Sequence, residues 1–104
     1  MFSEQWSGIN GTAIKRLTSD PRFPNNATKR QYIPIFRERT FASNYGSRYR
    51  SYFLAKETGN YTFYTFCDDY CQVFLSSDVN PRNKRLIIDQ RRAEKVPNVS
   101  NCCR

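Results

Sequence analysis

Between Arg48 and Leu75 the chain alternates side chains with a period of two, and that period excludes a surface helix and demands strands. In "RYRSYFLA" (48–55), Tyr49, Ser51, Phe53 and Ala55 share one face while Arg48, Arg50, Tyr52 and Leu54 share the other. "YTFYTFCD" (61–68) repeats the pattern, with Tyr61, Phe63, Thr65 and Cys67 opposite Thr62, Tyr64, Phe66 and Asp68. The intervening "KETGN" (56–60) holds Gly59, which can take the positive φ of a short hairpin loop. The spacing therefore predicts a hairpin. A third strand, "CQVFLSS" (71–77), follows at once and makes Asp68, Asp69 and Tyr70 the tip of a second hairpin. "DVNPRNK" (78–84) reads as a turn, because Pro81 cannot donate to a ladder, and "RLIID" (85–89) as a short fourth strand. Such an antiparallel meander needs a second sheet to cover it. The stripe Tyr49, Phe53, Tyr61, Phe63 and Phe66 is then expected as core, in preference to a sugar-stacking platform.

Upstream of Arg48 the sequence is governed by breakers: Gly8, Gly11, "SDPRFPNN" (19–26), Pro34 and "SNYG" (43–46). Within it "TAIKRLTS" (12–19) has Ile14 and Leu17 at i, i+3 and predicts a helical turn or two, stopped by Pro21. Irregular segments and short strands are expected for the rest. Residues 1–90 are thus read as one β domain and residues 91–104, polar and without periodicity, as a loosely ordered tail.

At 104 residues the chain buries only roughly 60–70% of the surface its unfolded form exposes, so its core is thin. The net charge of +8, from 17 Lys+Arg against 9 Asp+Glu, draws it toward anionic surfaces without choosing among them. The basic residues come in scattered pairs (Lys15-Arg16, Lys29-Arg30, Arg48 and Arg50, Lys84-Arg85, Arg91-Arg92) and read as a solvated surface.

Four cysteines and four N-x-[ST] sequons, at Asn10, Asn26, Asn60 and Asn98, point to an oxidising, secretory setting. The opening "MFSEQWSGINGT" lacks the charged start and apolar run of a signal peptide, and no stretch reaches the ~20 apolar residues of a membrane span. The expectation is an extracellular or cell-surface piece of a longer protein. Cys67 and Cys71 face each other across the hairpin tip and are the favoured disulfide among three possible pairings; zinc is the rival, at an unusual ligand spacing.

The stretch "YGSRYRSYFLAKETGNYTFYTFCDDYCQVFLSS" (45–77) resembles the PA14 domain, with its strand, its T-G-[DN]-Y-x-F turn and its strand ending in an Asp-Asp pair. "WSGINGTAIKRLTSDPRFPNN" (6–26) and "SSDVNPRNKRLI" (76–87) resemble the fibrocystin-like branch, so the likeness spans about residues 4–90. It implies an all-β, antiparallel β-sandwich. The chain departs from the pattern at Ser51, where Gly is usual, at Lys56, where Pro is common, and in the cysteines that flank the acids. The family's last strands have no counterpart, which implies an incomplete sandwich with exposed sheet edges.

The same resemblance implies that Asp68 and Asp69 hold Ca²⁺, which in turn takes sugar hydroxyls. Ca²⁺ needs several oxygen ligands, whereas neighbours on an ordinary strand diverge; a cis peptide between the two acids makes them converge. A pair facing water at a hairpin tip is the plain alternative. With no His in the chain, and neither G-x-S-x-G nor a phosphate loop, no catalytic residues are assigned and no enzyme is expected. The expected role is non-catalytic recognition of a glycan or a cell-surface protein. A structural spacer in a larger receptor, and a Ca²⁺-independent binder of sulfated glycans through Arg48, Arg50, Lys84 and Arg85, are the alternatives. Nucleic acid is not expected.

Overall fold

The computed structural model describes residues 1–35, 37, 43–67 and 70–91. The chain divides into two compact units, Met1–Ser51 and Tyr52–Arg104, each described by itself.

In the first unit, β1 (Phe2–Ser7) is the central strand of an antiparallel sheet, flanked by β2 (Lys29–Tyr32) and β3 (Tyr45–Arg50). Strand alternation puts Phe2, Glu4 and Trp6 on one face of β1. On that face the register sets Tyr32 and Arg50 opposite Phe2, Arg30 and Arg48 opposite Glu4, and Gly46 opposite Trp6. Trp6 is fully buried and forms the core with Ile9 and Leu17, with Phe23 and Ala27 packed against it. Its indole N–H donates to the Arg22 carbonyl at 3.2 Å, so the ring is buried without stranding its polar atom.

Leu17 reaches this core from α1 (Ile14–Thr18), the helical turn the i, i+3 spacing predicts. The helix stops at Ser19, two residues before Pro21; the Ser19 N–H donates to the Lys15 carbonyl and the Asp20 N–H to the Leu17 carbonyl. Gly46 gives Leu17 its space: a Cβ there would lie 2.9 Å from both Leu17 methyl carbons and 3.1 Å from its Cβ. Neither the buried side chain nor the helix that carries it can retreat freely. Gly46→Ala is expected to lower stability by about 1–3 kcal/mol, the usual cost of overpacking, read as a lower midpoint in urea.

In the second unit, β4 (Tyr70–Ser76) pairs antiparallel with β5 (Lys84–Arg91), from Tyr70↔Arg91 to Ser76↔Lys84. Ile87 is the extra residue of a bulge, since Val73 pairs with Ile88 and Phe74 with Leu86. The connection is built as its composition demands. The Asp78 carboxylate accepts from the Asn80 N–H at 2.8 Å and from the Asn83 amide, and the Asn80 side chain accepts from the Arg82 N–H at 3.0 Å. Pro81 opens a 3-10 turn, Pro81–Asn83, where a missing N–H costs nothing. The predicted third and fourth strands and their turn are therefore present.

The all-β class holds, with two antiparallel sheets and one five-residue helix among the described residues. The predicted first hairpin does not form. Residues 51–67 carry neither strand nor helix, and the positive φ values among the glycines fall at Gly8 and Gly11, not Gly59. Arg48, Tyr49 and Arg50 pair with β1 instead, where Glu4 offers the guanidiniums of Arg48 and Arg50 a buried counter-charge. Rings take the place of a ladder downstream: Phe53 meets Tyr61 and Phe63 edge-on, each at 5.2 Å between centroids. Nor is the aromatic stripe a closed core. Phe53, Tyr61 and Phe66 are exposed, beside Tyr52, Tyr64 and an 85% exposed Leu54.

Candidate functional site

Cys67 and Cys71 form the predicted disulfide, with their Cα atoms 6.1 Å apart, although the second predicted hairpin is absent among the described residues: residues 61–67 carry no strand, and Tyr70, read as part of its tip, begins β4. The bridge closes a ring of five residues around Asp68, Asp69 and Tyr70, and the buried Thr65 hydroxyl lies 3.6 Å from the Cys71 sulfur. Asp68 and Asp69 themselves lie outside the described residues, as do Asn98 and residues 92–104 of the predicted tail. Arg91, the first residue of that tail, instead ends β5.

What the ring leads into is visible on β4 and β5. The Tyr70 hydroxyl donates to an Asp89 carboxylate oxygen at 2.6 Å, and the Gln72 amide reaches the same oxygen at 3.4 Å. Gln72 is paired with Asp89 and Tyr70 lies two residues along, so alternation brings all three to one face. Sequence reasoning missed Asp89; two strands already placed opposite each other would have supplied it, once their register was known. Among the described residues no three His, Cys, Asp or Glu side chains cluster as a metal centre. Asp68 and Asp69 would bring the hard oxygen donors that Ca²⁺ takes. Of the sequon asparagines, Asn10, Asn26 and Asn60 are all exposed.

The chain matches no protein-family model, no curated protein and no solved structure.

The first unit carries a second polar constellation, which sequence reasoning took for solvated surface. The Glu4 side chain is only 3% exposed, yet three guanidiniums converge on it: Arg48 at 2.8 Å, Arg50 at 3.0 Å and Arg30 at 3.8 Å. Arg48 is held most completely. It donates to Glu4 through Nε and Nη2, donates to the Pro24 carbonyl at 3.1 Å, and stacks over the Trp6 and Phe23 rings. Such a guanidinium is a structural part and not a free surface charge. The signal was available in the spacing, since Arg48 and Arg50 two apart on a strand share a face.

Nearby, Arg22 binds Asp20 through its backbone and side chain and donates to the Ser7 carbonyl at 2.7 Å. The hydrogen bonds from Arg22 hold the Asp20 carboxyl below its ordinary value and raise the guanidinium above its own.

Proposed function

We propose that this chain is a non-catalytic extracellular recognition module of PA14-like type, which binds carbohydrate or a cell-surface partner through Ca²⁺ held at Asp68 and Asp69. The Cys67–Cys71 disulfide carries the reading. A covalent ring this small limits the conformations open to the two acids, so less entropy is lost when both turn to one ion. Tyr70, the remaining residue inside the ring, is tied to Asp89 on the neighbouring strand, which fixes where the ring leaves the sheet. Exposed asparagines at three of the sequons, and a disulfide in so short a chain, support an oxidising compartment. When bound, Ca²⁺ would supply open coordination positions for vicinal hydroxyls of a sugar, while the two carboxylates hold and neutralise it.

The test is a calorimetric Ca²⁺ titration of the oxidised chain and of Asp69→Ala. Saturable binding by the first, and at least about a tenfold loss in the second, is expected. Absence of Ca²⁺ binding, or equal binding by both proteins, would remove the proposal.

A further inference from the structure

The face that buries Glu4 opens as a cleft of about 260 Å³, lined by Phe2, Glu4, Pro24, Asn25, Arg30, Arg48 and Arg50. Among the described residues three positive charges meet a single negative one there, a surplus of two in a concave site. One arginine suffices to neutralise a buried carboxylate, and Arg48 does so with two hydrogen bonds. The other two add like-charge repulsion that the carboxylate does not balance.

Arg30 and Arg50 are also the accessible ones, their side chains 48% and 56% exposed against 28% for Arg48. They come from β2 and β3, on either side of β1. Each has one anchor that restricts its motion: Arg30 donates to the Asn25 carbonyl, and the Arg50 guanidinium lies over the Phe2 ring at 5.3 Å. A guanidinium has N–H donors to spare after one such contact, and restrained forks lose less entropy on closing around an oxyanion than free side chains do.

We propose that this cleft binds a tetrahedral oxyanion, the sulfate or phosphate ester group of an anionic ligand, between Arg30 and Arg50. Glu4 stays at the floor with its oxygens committed to guanidiniums, and the anion sits at the rim, where it offsets the surplus charge. Oxygens on several vertices let one group take a pair of parallel N–H bonds from each fork, a bidentate match that a single spherical halide does not offer. The site is independent of the Asp68–Asp69 reading and needs no Ca²⁺.

The experiment follows the arginine Nε–H resonances and the heat of binding while inorganic sulfate or phosphate is added at constant ionic strength, with chloride as the balancing anion. Saturable binding that moves the Arg30 and Arg50 signals is expected, unchanged by a Ca²⁺ chelator. Arg30→Gln and Arg50→Gln should each weaken it at least about tenfold, whereas Arg85→Gln on β5 should leave it intact. The 6-sulfate and 6-phosphate esters of glucose then distinguish the sources, and tighter binding of one ester names it. Since Arg48 still holds Glu4 in both variants, they are expected to keep the wild-type circular dichroism; should one fail to fold, the other and the resonance shifts still decide. Non-saturable shifts, or a loss in Arg85→Gln equal to that in Arg30→Gln, overturn the proposal.

Discussion

Glu4→Gln is expected to lower the stability of the first unit by about 3–5 kcal/mol, the cost of removing one partner from a buried ion pair. Glutamine has the volume of glutamate and fills the same space, so the loss isolates the charge. Arg48 would keep its bond to the Pro24 carbonyl and its place over Trp6, but its guanidinium would face Arg30 and Arg50 with no anion among them. A chain of this length has roughly 5–15 kcal/mol of stability in all, so the variant sits near the edge of folding. Urea denaturation followed by circular dichroism should show the midpoint falling by about 1–5 M. Arg48→Gln alone should cost less, because Arg50 stays 3.0 Å from Glu4, and the double variant should be less damaging than the sum, because both changes remove the same pair. Additive losses would show that the pair contributes nothing as a pair. A drop under about 0.5 kcal/mol for Glu4→Gln would place the carboxylate with ordinary surface ion pairs.

The second large effect is at Trp6. Trp6→Ala removes the only fully buried large side chain among the described residues, and with it the surface on which Ile9, Leu17 and Phe23 meet. The expected cost is about 3–5 kcal/mol from lost transfer energy and the cavity left behind. Trp6→Phe separates two parts of that figure. It restores most of the apolar volume and leaves the Arg22 carbonyl without its indole donor, for about 1–3 kcal/mol. The order wild type, Phe, Ala in thermal midpoint is the expected result, and equal midpoints for Phe and Ala would show that packing is not what the indole contributes.

How far the sequence foretold this molecule depended on how local each feature is. The turn at Asp78–Asn83 was legible because its side chains bond to backbone two residues on and to each other across five, and a proline marks where the ladder must stop. The Cys67–Cys71 pairing was legible for the same reason. Alternation after Arg48 correctly announced extended chain in β3 but did not name its partner, and the nearest stretch with the same period was the wrong one. The strand that did pair, "FSEQWS", hid because a glutamate occupies a core position. A carboxylate there reads as solvent-facing until Arg30 and Arg48 are known to lie opposite it. Composition likewise showed a surplus of positive charge without revealing that three arginines spend part of it on one acid.

The centrality of β1 has a kinetic consequence. The strand made first is the one both neighbours need, and its ion pair to Arg48 spans 44 positions of sequence. Until Tyr45–Arg50 has been synthesised, Phe2–Ser7 has only β2 to pair with and Glu4 lacks Arg48 and Arg50, so the sheet of the first unit stays incomplete. β4 and β5, joined by the short connection through Asp78 and Pro81, need no such delay and can close on the microsecond scale of a local hairpin. The first unit, with its distant pairings, is therefore the slower of the two to fold, although its residues leave the ribosome earlier.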